Sequence, residues 1–426
     1  MILHIDCNTF YASCEVSLRP DLKGKPVVVA NCNEAGGGII LALTKEAKAL
    51  GLKRGNPVFQ VKEILESNNV AIFPANLPKY VDISRRLMQV VKEQDIVHNF
   101  IKYSVDEFFG ELPLEDPSEL AAYARKVKDH IEHCTGIPVS CGVSLSYTLA
   151  KVATWFSKHY PGYKGICVLT KENIETALGI LPIADVWGIG RRTAPRMLSY
   201  GITTALDFYN KPDYWIQKQF KVNGHRTWKE LHGTPCIDIE TSAQQKSIMH
   251  SRTFTYMTQK LSILESYIVE YAVAAARKLR DQHSVCLSVT TFIATNPHRE
   301  DLEQYGNSAT VKLSVACADT LMISKAALDA LHQVFRPYIH YKRAGVMLSD
   351  ITSDDAIQLD LFAKPPLSLD KSRALMDATD KINNRYGMNT VRLGVQDFDS
   401  GVHKLPLNFQ PFKSPNTNFE DIIEVK

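Results

Sequence analysis

Three carboxylates in two apolar settings are the residues of this chain best suited to chemistry. Asp6 stands in "MILHIDC", a run that reads as a buried strand, and Asp106 and Glu107 stand together in "IKYSVDEFFGEL". A carboxylate withdrawn from water and left unpaired is strongly destabilising, so something must compensate it. Three carboxylates on two adjacent strands can hold two Mg²⁺ ions ~4 Å apart, one activating an attacking oxygen and the other steadying a leaving phosphate. A plainer reading makes Asp6 the cap of a helix starting near Thr9 and makes Asp106 and Glu107 the turn of a hairpin. For one acidic residue that reading wins; for two clusters, each embedded in apolar strand, metal binding is the better one.

Other residues extend the same chemistry. Phosphoryl transfer spreads charge over a triphosphate, and positioned basic groups stabilise it. "TKEAKALG" offers Lys45 and Lys48 on one short helix, and "FSKHYPG" offers Lys158 after the following long helix. "WGIGRR" places Gly188, Gly190, Arg191 and Arg192 at a turn opening a helix that ends at Gly201, an arrangement able to grip a phosphate backbone. Each alone has a bland alternative, a solvated lysine or a tight turn. Phe10 and Tyr11 follow the first strand, and by sequence alone a core aromatic pair and a functional one are equally good readings.

The elements that must position these residues alternate. "MILHID" and "KPVVVAN" read as strands, "DISRRLMQVVKEQ" and "SELAAYARKVKDHIEHC" as amphipathic helices, and "IPVSCGVSLSYTLAKVATWFSK" as a strand running into a helix. An α/β core follows over about 1–170, with a small insert at about 30–75. A helical segment runs from Lys171 to about Ser242, and then "QKSIMHSRTFT" to "AGVMLSDI" spells β-α-β-β-α-β, the split βαβ pattern of one module. From 352 on the chain is polar, with partial disorder expected. The expectation is a multidomain α/β (α+β) protein.

Length and composition bound the class. At 426 residues with 45% hydrophobic and 22% charged residues, the chain can bury several cores. No apolar run has the length of a membrane span, and the N-terminus lacks a signal peptide, so a cytoplasmic protein is expected. Nine scattered cysteines without a C-x-x-C pair argue for reduced thiols. The net charge is +3; residues from Ile351 onward hold nine Lys/Arg against eleven Asp/Glu, leaving +5 on the rest. That balance is compatible with a nucleic-acid partner without requiring one.

"DCNTFYASCE" and "YSVDEFF" resemble the two palm motifs of the Y-family, translesion DNA polymerases, and "PDLKGKPVVV", "DVWGIGRR", "YGNSATVKL", "RAGVMLSD" and "QLDLF" narrow the likeness to its UmuC-like branch. The similarity runs from Met1 to about Phe362. It implies a right hand: palm at 1–30 and 76–170, small fingers at 31–75, a helix-hairpin-helix thumb at 171–242, a βαββαβ little finger at 243–351, and a tail at 352–426. It implies an error-prone polymerase adding deoxynucleotides to a primer 3′-hydroxyl with two Mg²⁺. Asp6, Asp106 and Glu107 match the metal-binding acids and the Cys7 carbonyl a backbone ligand. Phe10 and Tyr11 match the nucleotide site, with Tyr11 against the sugar, where it would clash with a 2′-hydroxyl; Lys48 and Lys158 match triphosphate contacts, with Lys45 nearby. The thumb glycines and arginines, and Lys246, Arg252 and Lys312 of the little finger, become candidate DNA contacts. Gln358, Leu359, Leu361 and Phe362 follow a Q-L-x-L-F pattern like the peptide that docks bacterial polymerases on the sliding clamp; "LDLF" alone would favour packing back on the little finger, but Gln358, the following Pro365 and Pro366 and the place at a domain edge favour docking. A UmuD-like dimer and a RecA-like filament are further partners implied.

The sequence departs from the family in places. Leu43 stands at a usual arginine, Tyr147 at a usual lysine, and "NEAGGG" lengthens a loop. Two rivals use the same features less well. A palm-fold nucleotidyl cyclase would need no thumb, little finger or clamp peptide, and no GGDEF-like stretch is present; a non-catalytic DNA scaffold would be favoured by loss of an acid, and none is lost.

Overall fold

Alternation along the first strand sets up the molecule. In the computed structural model, β1 (Ile2–Cys7) is the middle of a five-stranded sheet ordered β5-β6-β1-β7-β8, with β5 at His98–Lys102, β6 at Glu107–Glu111, β7 at Val139–Ser144 and β8 at Ile166–Val168. Leu3, Ile5 and Cys7 face a core shared with α1 (Phe10–Leu18), α4 (Leu77–Glu93) and α5 (Pro117–Thr135). His4 and Asp6 turn to the opposite face, towards α6 (Tyr147–His159), as the period of two requires. The structure describes residues 1–31, 38–93, 97–239, 244–355, 369–387 and 389–396, and the chain divides into two compact units between Thr241 and Ser242.

α6 lies unusually close to the sheet because β7 carries Gly142. A Cβ there would meet the Ala150 carbonyl and the Thr154 amide at 2.3 Å, so only glycine lets the helix settle. The helix start is capped by Ser146, whose hydroxyl accepts from the Leu149 amide. It is also tied to α10 (Asp213–Leu231) through fully buried Glu230, whose carboxylate accepts the Thr148 amide at 3.0 Å and the Cys236 and Ile237 amides at 2.8 and 3.1 Å.

The small insert begins earlier than expected. β2 (Val27–Ala30) does not join the five-stranded sheet; it pairs antiparallel with β3 (Ile40–Leu43) and parallel with β4 (Ala71–Pro74), over α2 (Lys45–Ala49) and α3 (Lys62–Ser67). All four residues of β2 are buried, a pattern that cannot say which sheet a strand enters. The helical segment comprises α7 (Ile174–Ile180), α8 (Thr193–Ser199), α9 (Ala205–Tyr209) and α10, around Leu178, Met197, Phe208 and Ile216.

The second unit has the expected β-α-β-β-α-β order: β9 (Ile248–Thr258), α11 (Leu261–Asp281), β10 (Ser284–Ala294), β11 (Gly306–Cys317), α12 (Thr320–Val334) and β12 (Tyr341–Ser353), in the sheet order β11-β10-β12-β9. Both helices cover one face. The polar tail contains α13 (Leu369–Tyr386), tied to α11 and α12 by Arg280, which bonds both oxygens of Asp380 at 2.7 and 2.9 Å, by Ser372 on Asp319, and by buried Met376. The eight described cysteines are free, and among the described residues no helix is long and apolar enough to cross a membrane.

Candidate active site

Strand register brings the three acids together. Asp6 pairs directly with Glu107 across β1 and β6, and the Cys7 amide donates to the Asp106 carbonyl at 2.8 Å. Asp6 does not cap α1; that helix begins after Thr9, which adopts a left-handed conformation without a side-chain cap. The acids are half-buried rather than fully withdrawn, and each has a partner. Lys158 bonds Asp6, Lys151 donates to Glu107 at 2.7 Å, and Ser104 donates to Asp106 at 2.9 Å. Burial pushes the Asp6 carboxyl up to about 6, opposed by Lys158 and reinforced by Glu107 and Asp106. The Cys7 thiol is buried in the core, which leaves only its backbone to face the site.

Hard carboxylate oxygens suit a divalent cation of the Mg²⁺ type, and the two ammonium groups beside them show that the site attracts positive charge. The side chains are not gathered as ligands, however. Among the described residues no group of three His, Cys, Asp or Glu stands in metal-holding geometry, because Asp6 and Glu107 turn to separate lysines.

A cleft of about 420 Å³ opens beside the acids, lined by Asp6, Cys7, Phe10, Tyr11, Lys48, Arg54, Asp106 and Lys158 among others. Lys48 and Lys158 also border a groove of about 510 Å³ that includes Lys45, Lys128 and Lys164. Lys158 belongs to the last turn of α6 rather than following it. Leu43, buried at the end of β3, gives the cleft an aliphatic wall, and Tyr147 packs edge-on against Phe109 at 5.0 Å, so an aromatic contact stands where a lysine was expected. Residues 32–37, within the lengthened loop, lie outside the described residues.

Several residues of the site were not singled out from sequence. Lys151 is boxed by the rings of Tyr103, Phe109 and Trp187 at 4.9, 5.8 and 5.4 Å. Buried His4 bonds Thr154 at 2.8 Å, and its Nε2 lies 3.7 Å from Glu107 with no hydrogen-bond partner; burial, with Lys151 and Lys158 nearby, holds its imidazole well below the ordinary range, and so neutral. Arg54 reaches the cleft from the loop after α2. The alternation of β1 places His4 on the face of Asp6, a signal the sequence did contain; the others depend on tertiary packing.

The candidate DNA contacts scatter. Gly188, at φ +89°, and Gly190 form the turn before α8, but the helix starts only at Thr193, so exposed Arg191 and Arg192 lie in the turn itself. Lys312 is exposed opposite Ser288 on the open face of the second unit's sheet, where Arg343 also lies, over the Phe292 ring at 5.5 Å and bonded to Ser251. Arg252 is not on that face: it pairs with buried Ala344 and stands on the same side of β9 as Phe254, the side covered by α11. Lys246 is exposed just before β9. Gln358, Leu359, Leu361 and Phe362 lie outside the described residues.

Residues 5–155 match the impB/mucB/samB family, residues 245–361 the C-terminal domain of that family, and residues 373–405 a domain of unknown function. The chain is similar to Protein MucB of Salmonella typhimurium, 36% identical over 94% of each chain, and to Protein UmuC of Salmonella typhimurium, 34% identical over 99% of each. A more distant relative is DNA polymerase IV of Bacillus velezensis, 26% identical over 92% of each. Among solved structures, a chimera of the Y-family DNA polymerases Dbh and Dpo4 aligns with TM-score 0.65 and 23% identity over 83% of this chain and 99% of that one.

Proposed function

The chain belongs to the impB/mucB/samB family, the UmuC-like branch of the Y-family DNA polymerases, and from that membership we propose how its residues work. It is a DNA-directed DNA polymerase of the error-prone translesion class, acting in DNA damage tolerance of the SOS type. Enzymes of this kind use a divalent metal. Our reading is that Asp6, Asp106, Glu107 and the Cys7 carbonyl hold two Mg²⁺, which supply Lewis-acid activation of the primer hydroxyl and charge neutralisation on the leaving pyrophosphate.

The chain's own groups do the rest. Lys48, Lys158 and Arg54 bind the triphosphate, with Lys45 at its outer end, and Phe10 and Tyr11 receive the sugar, Tyr11 excluding a 2′-hydroxyl. Lys158, which bonds Asp6, has further N–H donors with which to meet a phosphate. His4, neutral and buried, supports the sheet behind Glu107. The turn at Gly188 and Gly190 with Arg191 and Arg192, and the open sheet face with Lys312, hold the DNA backbone; Lys246 adds charge near that sheet. Palm, fingers, thumb and little finger are the roles we assign to the five-stranded sheet and its helices, the three-stranded insert, α7–α10 and the second unit. The substrates are primer-template DNA and deoxynucleotides in the cytoplasm, with the sliding clamp, a UmuD-like dimer and a RecA-like filament as partners.

The observation that carries this reading is the direct pairing of Asp6 with Glu107, with the Cys7 amide on the Asp106 carbonyl, beside the cleft of Tyr11 and Lys158. Asp106→Asn removes one charge and almost no bulk, so primer extension should be lost while binding of primer-template, followed by fluorescence anisotropy, is retained. Normal extension by the variant would remove Asp106 from the metal site.

A further inference from the structure

Tyr11 does not stand alone in the wall of the cleft. Its ring is stacked on that of Tyr80, with centroids 4.5 Å apart and planes at 17°. Tyr80 is 1% exposed and sits in the first turn of α4, where the Asn76 side-chain oxygen accepts the Lys79 amide at 3.2 Å and the Asn76 carbonyl accepts the Tyr80 amide at 3.1 Å. The Tyr80 hydroxyl donates to one oxygen of Glu15 at 2.6 Å, and Lys79 donates to the other at 2.7 Å. Glu15 lies one turn beyond Tyr11 on α1 and is itself buried.

This is more than the packing of a core needs. A carboxylate and an ammonium withdrawn from water are costly, and apolar side chains of similar volume would usually fill such a space at least as stably. What the buried pair adds is direction: both oxygens of Glu15 are committed, so the Tyr80 ring is fixed at its hydroxyl end as well as by its neighbours. A half-exposed tyrosine used as a steric barrier has the opposite weakness, since an aromatic ring can turn aside at little cost when nothing stands behind it. Stacking also favours one ring position over others.

We propose that Tyr80, held by Glu15 and Lys79, is a positioning residue for sugar discrimination: it backs the Tyr11 ring so that the ring cannot yield to a 2′-hydroxyl. The inference rests on the reading of Tyr11 as the residue that meets the sugar.

The test is the ratio of ribonucleotide to deoxynucleotide kcat/KM, measured by single-nucleotide primer extension with the full chain, for wild type, Tyr11→Ala, Tyr80→Leu and Tyr80→Phe. Tyr11→Ala should raise the ratio, and Tyr80→Leu should raise it in the same direction by roughly tenfold, within the range expected when one pocket contact is altered. Tyr80→Phe, which keeps the stacked ring but loses the hydroxyl's hold on Glu15, should raise the ratio by less than Tyr80→Leu, a graded response that loss of general stability would not give. If Tyr11→Ala raises the ratio and folded Tyr80→Leu leaves it unchanged, the role of Tyr80 is overturned while that of Tyr11 stands. If Tyr11→Ala itself has no effect, both fall. Should Tyr80→Leu not fold, Glu15→Gln replaces it: this change weakens the hold on Lys79 and the phenol without removing bulk, and a ratio unchanged in that variant also overturns the proposal.

Discussion

Asp6 carries two demands. In the metal-ligand role we propose it must be ionised, yet burial raises its carboxyl to about 6, with Lys158 only partly offsetting the shift. Metal and proton then compete for the same oxygens. Below about pH 6 the free site holds a proton that the cation must displace, so the apparent Mg²⁺ half-saturation of primer extension should rise by up to about tenfold per pH unit as pH falls, and level off above pH 7. A half-saturation constant that stays level from pH 5 to 8 would mean that Asp6 is already ionised, or is not a ligand. The acids themselves were legible in the sequence, because charged residues in apolar strand are unusual wherever they fall. Lys151 was not: "TLAK" reads as ordinary helix, and its box of Tyr103, Phe109 and Trp187 draws on residues as far as 48 positions away, from Tyr103 to Lys151.

Faces of sheets show where pattern reading ends. The β-α-β-β-α-β order of the second unit could be taken directly from sequence, since each strand is long and each helix amphipathic. Which basic residues meet solvent could not, because "HSRTFT" alternates too weakly to distinguish the two sides of an edge strand. Arg252 turns to the side of α11 and lies near Glu270, whose carboxyl burial raises and Arg252 lowers, while Lys312 and Arg343 share the open side. If that side follows the DNA backbone, Lys312→Ala and Arg343→Ala should each weaken binding at all sequences alike and reduce the slope of log affinity against log salt by about one. Arg252→Ala should leave the slope unchanged. Equal slopes in all three variants would place the DNA elsewhere. The same limit hid the start of the insert: four buried residues in β2 serve either sheet equally well.

Across the whole chain, two units hold their own cores, and the second extends further than its β-α-β-β-α-β pattern, to α13. That helix was hidden because no apolar stripe marks its buried side: its attachment is Arg280 to Asp380, Ser372 to Asp319 and buried Met376. Between β12 and α13 lie Gln358, Leu359, Leu361 and Phe362, for which clamp docking is our proposal. A peptide of residues 355–366 should bind the clamp in a direct titration, and Leu361→Ala with Phe362→Ala in the full chain should abolish clamp-stimulated synthesis while short-primer extension persists. Loss of short-primer extension together with thermal stability in the double variant would instead make these residues part of the fold. Arg373 at the start of α13 donates to the carbonyl of Asp354 at 2.8 Å, so the stretch leaves and returns at nearly the same point. Both ends of the segment that holds these four residues are therefore anchored on the second unit, so a partner docked there would be tethered at two points, where one docked on a chain terminus would be tethered at one.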